Sequence, residues 1–148
     1  MTAYDVHINR VPTAGYLREI HCTSFLFTPN VSMKLEEEEI FDDGHIDVAD
    51  MGYLFPNERK VCRVYAPKIG AHYYLIQIAE RDVNEILNWG DQHFVQGDRY
   101  GAIRWGSQVD LVLPLDDENE YEIVVEPTQH VEAGVDPIIK IVKCRRSK

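Results

Sequence analysis

The sequence lacks any apolar stretch that approaches the roughly 20 residues needed to cross a bilayer. Its first residues, MTAYDVH, carry neither the basic start nor the apolar block of a secretory signal peptide. Basic residues are also scarce, with 15 Lys and Arg against 25 Asp and Glu and a net charge of −10. Because nucleic-acid binding needs a basic surface, we expect a cytoplasmic protein without a nucleic-acid partner.

Cysteine is equally sparse, with Cys22, Cys62 and Cys144 far apart in the sequence. Their number is odd and their spacing fits neither a disulfide framework nor a zinc site, so we expect no metal and treat them as small core residues. Acidic residues instead occur in runs, at 36–39 and 116–118. Such runs are typical of solvated loops, and we interpret them in that way.

The 148 residues fit one domain, 1–148, of mainly β or α+β class. Short apolar and β-branched runs separated by Gly and Pro predict strands, while residues 81–89, followed by Gly90, are compatible with a short helix. The predicted strands are 19–27, 60–66, 72–79, 109–113, 121–125 and 138–142.

A weak internal repeat relates residues 92–103 to residues 129–139, with Gly97 and Gly134 in equivalent positions. A glycine that accepts positive φ is typical of a tight hairpin turn, so the repeat predicts two similar hairpins in a quasi-symmetric β sandwich. Similar turns occur in lipoyl-carrying domains. Since no lysine stands at the hairpin tip, a carrier role is not expected.

The Gly106–Ser107 bond lies between two predicted strands and is a candidate site of self-cleavage. Glycine has no Cβ, which lets a nucleophile approach its carbonyl closely. A serine on the C-terminal side of such a bond is a candidate precursor of a pyruvoyl group. The alternative is an ordinary turn serine in a chain that stays intact.

Four segments span about three-quarters of the chain and stand out as motifs, namely residues 4–16 (YDVHINRVPTAGY), 57–59 (NER), 77–79 (QIA) and 96–114 (QGDRYGAIRWGSQVDLVLP). In the same order they resemble the patterns DVHxNRxPxxG, NER, QIA and GxRxGxIRFGSRVDxYLP. These are patterns of the phosphatidylserine decarboxylase family, especially its short form.

The resemblance implies a pyruvoyl-dependent carboxy-lyase made as a zymogen. The Ser107 hydroxyl would attack the Gly106 carbonyl, and elimination would then separate a β chain, 1–106, from an α chain, 107–148, that begins with the pyruvoyl group. That ketone would condense with the amine of a serine phospholipid and accept the electron pair left by CO₂. The product would be an ethanolamine phospholipid, which places the protein in phospholipid biosynthesis.

Further roles follow by matching residues to the family motifs. His7 of the DVH motif is a candidate general base or proton donor, with a solvated histidine as the alternative. Asp5 would orient His7, or form a turn or cap. Arg59 would bind the lipid phosphate, or form a surface ion pair. The histidines outside the motifs are expected to be structural, namely His21, His45, His72, His93 and His130.

The sequence departs from the family in several ways. It contains neither the acidic ADG-type motif that precedes DVH nor the apolar anchor of the short form, and Trp105 and Gln108 replace the family's Phe and Arg. The missing N-terminal segment predicts an exposed sheet edge, which a homo-oligomeric or other partner would cover. The lipid substrate implies peripheral contact with a membrane. The departures leave two alternatives open: an uncleaved, non-catalytic module that binds a lipid head group or a protein, and a pyruvoyl enzyme for a soluble amino acid.

Overall fold

Alternating apolar and polar residues form ten β-strands in the computed structural model, which describes residues 6–23, 30–33, 51–83, 85–104, 107–115 and 119–143. The described residues also contain a 3₁₀ turn at Gly52–Leu54. The mainly-β class predicted from the sequence is therefore confirmed. The strands are β1 (Ile8–Arg10), β2 (Gly15–Thr23), β3 (Arg59–Ala66), β4 (Ala71–Ala79), β5 (Ile86–Asn88), β6 (Gln92–Phe94), β7 (Arg99–Ile103), β8 (Ser107–Val112), β9 (Asn119–Ile123) and β10 (Ile139–Lys143).

The described strands form three antiparallel sheets. A five-stranded sheet has the order β6-β2-β3-β4-β8, a three-stranded sheet has the order β1-β7-β5, and β9 pairs with β10. Strand β4 shows why these residues form a sheet. Its odd-numbered residues from Tyr73 to Ala79 are all buried, whereas its even-numbered residues up to Ile76 are more exposed, as expected for side chains that alternate between two faces.

The three-stranded sheet packs across the inner face of the five-stranded sheet. One apolar cluster contains Tyr100 of β7 and Val11, which directly follows β1. These two side chains pack against residues of the five-stranded sheet, including Leu17, Val64 and Leu75. A second cluster closes the end of the interface near Ser107, and its members are Ala79, Val83, Ile86 and Ile103, with Val109 packed against them. The core therefore lies between two layers of strands.

The outer face of the five-stranded sheet is covered over β4 and β8. Met33, Tyr53 and Ile78 form a third apolar cluster there, so the segments 30–33 and 51–54 lie against this face. On its other side β8 has no strand neighbour among the described residues, because it pairs with β4 alone. Near Ser107, strand β8 is thus packed on both faces, and among the described residues it forms an edge of the sheet.

Two local expectations differ from the structure. The segment 81–89 contains β5 instead of a helix, because Ile86 pairs with Ile103 and its side chain is buried in the core. The expected positive φ occurs at both repeat glycines, +86° at Gly97 and at Gly134. However, the turn at Gly97 does not close a hairpin, since β6 and β7 belong to different sheets.

The cysteines and histidines follow the sequence predictions in part. Cys62 is a buried core residue as expected, whereas Cys22 is exposed because it lies near the end of β2; Cys144 lies outside the described residues. His21, His72, His93 and His130 are exposed, and the ring of His72 packs against Tyr65 with 5.1 Å between ring centres. His45 lies outside the described residues.

We expect a thiol reagent at pH 8 to modify Cys22 in the native protein and Cys62 only after unfolding. Burial raises the pKa of the Cys62 thiol to about 12, so both its thiolate fraction and its access are low. Peptide mapping by mass spectrometry of a Cys144→Ser variant, with and without denaturant, measures both sites. Equal rates at Cys22 and Cys62 in the native protein would contradict the described packing.

Candidate active site

Ser107 is the first residue of β8. It forms the last pair of the ladder between β8 and β4, opposite Ala79. The residue is 1% exposed. Its side chain points to the inner face, because Ala79 and the next inward residue of β8, Val109, both belong to the apolar cluster at this end of the core. The hydroxyl of Ser107 is therefore held in apolar, water-poor surroundings. The other half of the predicted cleavage site, Gly106, lies outside the described residues.

His7 lies at the same end of the interface between the sheets. Its carbonyl oxygen accepts a hydrogen bond of 3.0 Å from the Ile103 amide, which extends the β1–β7 ladder by one residue. His7 is half-buried and lies beside Ile103, whose side chain packs in the same cluster as Ala79, the strand partner of Ser107. The register thus brings His7 and Ser107 to one end of the core. Asp5 lies outside the described residues.

A layer of amide side chains lies next to this end, between the two sheets. The Gln77 Nε2 atom donates a buried hydrogen bond of 2.8 Å to Oδ1 of Asn9. Asn88 donates to Oε2 of Glu19 at 2.8 Å and to the sulfur of Cys62 at 3.2 Å. Polar groups buried between sheets favour one relative placement, since any other placement leaves them without hydrogen bonds.

Asn57 fixes the outer side of the same region. It is 0% exposed, and its amide binds the backbone of Val31 in both directions, at 2.8 and 2.9 Å, and the Ala79 carbonyl at 2.8 Å. The Glu58 carbonyl accepts a hydrogen bond of 2.9 Å from the Ala79 amide. The NER segment therefore ties residues 30–33 to the end of β4, at the residue that pairs with Ser107.

Strand β8 is also held through its outer face. The Tyr53 hydroxyl donates to Oε1 of Gln108, and Nε2 of Gln108 donates to Oδ1 of Asp110 at 2.6 Å. Burial raises the pKa of the Asp110 carboxyl, although the bond from Gln108 opposes this effect. Because Gln108 follows Ser107 directly, this chain of hydrogen bonds holds the start of β8 from the side opposite the serine hydroxyl.

Arg59 is engaged with the backbone of the 3₁₀ turn. Its guanidinium donates to the carbonyl oxygens of Leu54 and Phe55. Arg59 lies opposite Ile78 in the sheet, which places its side chain on the outer face, away from that of Ser107. The contact with a lipid phosphate stays a prediction, and the described contacts of Arg59 support a structural task.

A cavity of about 560 Å³ lies beneath residues 131–141, and Tyr73, Leu111 and Leu113 contribute to its mostly apolar wall. Leu111 is on the same face of β8 as Ser107, four residues and about 13 Å along the strand. Neither Ser107 nor His7 lines the cavity. Within the described ranges, no group of three or more His, Cys, Asp or Glu side chains is arranged to hold a metal ion.

The sequence profile described as phosphatidylserine decarboxylase matches residues 1–138. The chain belongs to this family. The match includes all four matching segments given above, with Ser107 at the start of β8 and His7 directly before β1. The family resemblance predicted from four short segments is therefore confirmed.

Several curated relatives carry the name phosphatidylserine decarboxylase proenzyme. The protein from Geobacter metallireducens is 30% identical over 77% of this chain and 44% of its own length. The proteins from Nitratidesulfovibrio vulgaris and Syntrophus aciditrophicus are 29% and 28% identical over 90% and 93% of this chain, or 52% and 55% of their own lengths. The chain thus spans about half the length of these relatives. No solved structure matches it.

In the part of the chain that the structure describes, no helix of this decarboxylase-family protein is long and apolar enough to cross a membrane.

Sequence reasoning did not assign roles to three residues of this region, Asn9, Asn57 and Gln77. Each lies in a segment that carries the family resemblance, at 4–16, 57–59 or 77–79. All three are buried amides. The sequence signal that could have identified such residues is an amide within an otherwise apolar, strand-forming run such as YYLIQIA. A buried amide needs a hydrogen-bonding partner elsewhere in the fold.

We expect Asn57→Ala to lower the free energy of unfolding by about 3 kcal/mol, because it removes three buried hydrogen bonds to the backbone. Urea unfolding measures the change. Gln92→Ala is the control, since Gln92 makes an exposed hydrogen bond to Trp89 and should change the stability by less than about 0.5 kcal/mol. A similar small loss for both variants would show that Asn57 does not anchor this region.

Proposed function

We propose that this chain is a phosphatidylserine decarboxylase-type, pyruvoyl-dependent carboxy-lyase that matures by self-cleavage between Gly106 and Ser107. The observation that carries the proposal is the buried hydroxyl of Ser107 at the start of an edge strand, at the same end of the core as His7. The relatives' name, proenzyme, supports a chain that must be processed. The products would be chains 1–106 and 107–148.

The cleavage proceeds in two stages. Oγ of Ser107 bonds to the carbonyl carbon of Gly106, the peptide C–N bond breaks, and the hydroxyl proton goes to the released nitrogen, which leaves an ester. A base then removes the Cα proton of residue 107 while the Cβ–Oγ bond breaks, giving a Gly106 carboxylate and an N-terminal dehydroalanine. Its imine tautomer takes up water and loses ammonia, which leaves the ketone.

His7 is the proposed proton acceptor for the Ser107 hydroxyl, and Asp5 the proposed partner that orients it. A serine hydroxyl is a weak nucleophile until a neighbouring base accepts its proton. The hydrogen bond from the Ile103 amide holds the backbone of His7 beside the apolar cluster that contains Ala79, the strand partner of Ser107. The surrounding Ala79 and Val109 keep water from the ester, so that elimination competes with hydrolysis.

The surroundings of Ser107 fit a covalent pyruvoyl group formed from this residue. The group would stay attached to β8, whose ladder with β4 and whose Gln108 anchor do not involve the bond that breaks. When formed, it supplies an electrophilic ketone that takes up the electron pair left by departing CO₂. The chain's own contribution is to fix the start of β8 and to keep water from it.

The substrate class that we propose is a serine phospholipid, which the protein would meet by peripheral contact with a membrane from the cytoplasm. A second copy, or another polypeptide, would cover the edge of β8, which has no second strand neighbour among the described residues. An edge strand exposes backbone hydrogen-bonding groups that favour pairing with another strand. Arg59 is the residue that we propose for binding the lipid phosphate, as the family resemblance implies.

We expect the purified protein to separate into fragments with the masses of 1–106 and 107–148, the second without a free α-amine. Borohydride should reduce the second fragment and raise its mass by two hydrogens. Ser107→Ala should stay intact, whereas Ser32→Ala, a serine of the outer face, should cleave normally. Intact mass spectrometry reads all four results.

The same preparations, incubated with phosphatidylserine vesicles, test the reaction itself by release of CO₂ and formation of the ethanolamine lipid. A chain that stays intact with and without vesicles would overturn autonomous maturation. If such an intact chain binds the vesicles, the non-catalytic module replaces the enzyme. Cleaved protein that decarboxylates only free serine would move the substrate to the soluble amino acid.

We expect His7→Ala to slow the cleavage about a hundredfold, which is the usual contribution of a general base. His21→Ala is the control, because His21 is exposed and belongs to β2, away from Ser107. The rate is followed by mass spectrometry of freshly refolded chain. Cleavage of His7→Ala at the parental rate would remove His7 from the mechanism and leave Ser107 unaffected.

A further inference from the structure

We infer that Asn9 and Gln77 are positioning residues, which place His7 against Ser107 for self-cleavage by fixing β1 across the inner face of β4. The inference rests on the proposed function, and it assigns a task to two buried amides that the cleavage chemistry itself does not use. Their hydrogen bond of 2.8 Å joins the small sheet to the large sheet.

Both amides are well removed from solvent, with Asn9 7% exposed and Gln77 0% exposed. Burying an amide is unfavourable unless it is hydrogen-bonded, so an apolar pair would serve core packing at least as well. A buried polar pair contributes direction as well as packing, because its hydrogen bond forms in only one relative placement of the sheets. The pair is therefore suited to fixing geometry.

Gly101 leaves space for the amide side chains, because it has no side chain of its own. This residue lies opposite Asn9 in the β1–β7 ladder. A Cβ at Gly101 would lie 2.8 Å from Nε2 of Gln77 and 2.4 Å from Oδ1 of Asn88. Any larger residue would displace the amides, so the close approach of β7 to β4 depends on the missing side chain.

The amide pair lies two residues along the chain from the reactive end of the core, on both sheets. His7 precedes Asn9 by two residues, and Ala79, the partner of Ser107, follows Gln77 by two. Side chains two residues apart share a face and are separated by about 7 Å. Asn9 lies opposite Gly101, and the His7 carbonyl is bound by the Ile103 amide. On both sheets, the direction from the amide pair to the reactive residues therefore leads to the same end of the core.

The backbone of β1 gives this region only limited support. The strand has three residues, and its ladder with β7 shifts register between Asn9 and Arg10. A short and irregular ladder specifies the position of a strand weakly. The side-chain bond to Gln77 therefore determines where His7 lies relative to Ser107, and a displacement of about 1 Å can slow a reaction about a hundredfold.

We expect Asn9→Leu and Gln77→Met each to slow the cleavage 10- to 100-fold while the chain stays folded. The exchanged double variant, Asn9→Gln with Gln77→Asn, restores an amide pair of the same total length and should recover part of the rate. Tyr73→Phe is the matched control: it removes a buried hydrogen bond of 2.8 Å to Thr13, about 20 Å from Ala79 along β4, and should leave the rate unchanged.

A double-mutant cycle separates positioning from general stability. If Asn9 acts through His7, then Asn9→Leu should slow the cleavage no further once His7→Ala is present. A full additional loss in the His7→Ala background would overturn the inference, as would a loss for Tyr73→Phe equal to that for Asn9→Leu.

Hydrogen exchange gives a readout that needs no cleavage. In a Ser107→Ala chain, the Ile103 amide, which donates to the His7 carbonyl, should exchange at least tenfold faster in Asn9→Leu and not in Tyr73→Phe. Unchanged protection of Ile103 in Asn9→Leu overturns the positioning role. If the parental chain never cleaves and Ile103 still responds, self-cleavage fails while the placement of β1 by this pair stands.

Discussion

The relative placement of two sheets governs this molecule, and directional hydrogen bonds of buried amide side chains cross their interface, among them the bond from Gln77 to Asn9. The apolar clusters on either side contribute most of the area removed from water, but apolar contact tolerates small shifts. The layer of amide side chains does not tolerate such shifts, since a shift leaves buried donors and acceptors without partners. Absence of a side chain at Gly101 allows the layer to form.

The start of β8 is held by a second set of contacts on the opposite face. Asn57 binds the end of β4, and Tyr53 reaches Gln108, the residue after Ser107. In the proposed maturation the bond at the nitrogen of Ser107 breaks, and these contacts would keep the ladder with β4 in place after the loss of that covalent connection. Among the described residues, no strand pairs with β8 on the side away from β4.

Local pattern predicted most strands of this fold, since alternation between faces is visible in runs such as 60–66 and 72–79. It failed where tertiary contact decided the outcome. Residues 81–89 have a composition compatible with a helix, yet Ile86 is drawn into the core as a strand partner of Ile103. The turn glycine Gly97 has the expected conformation, but which strands follow it into which sheet depends on long-range pairing.

The sequence by itself determined the family, the mainly-β class and the identity of Ser107 and His7 as the residues to consider, because motif letters and apolar periodicity are local properties of the chain. Only the tertiary structure decided that Ser107 is buried at the same end of the core as His7, that Arg59 faces the opposite side of the sheet, and that Asn9 meets Gln77. Those relations join residues 48 to 100 positions apart, and they arise from the packing and register of strands, which a linear pattern does not encode.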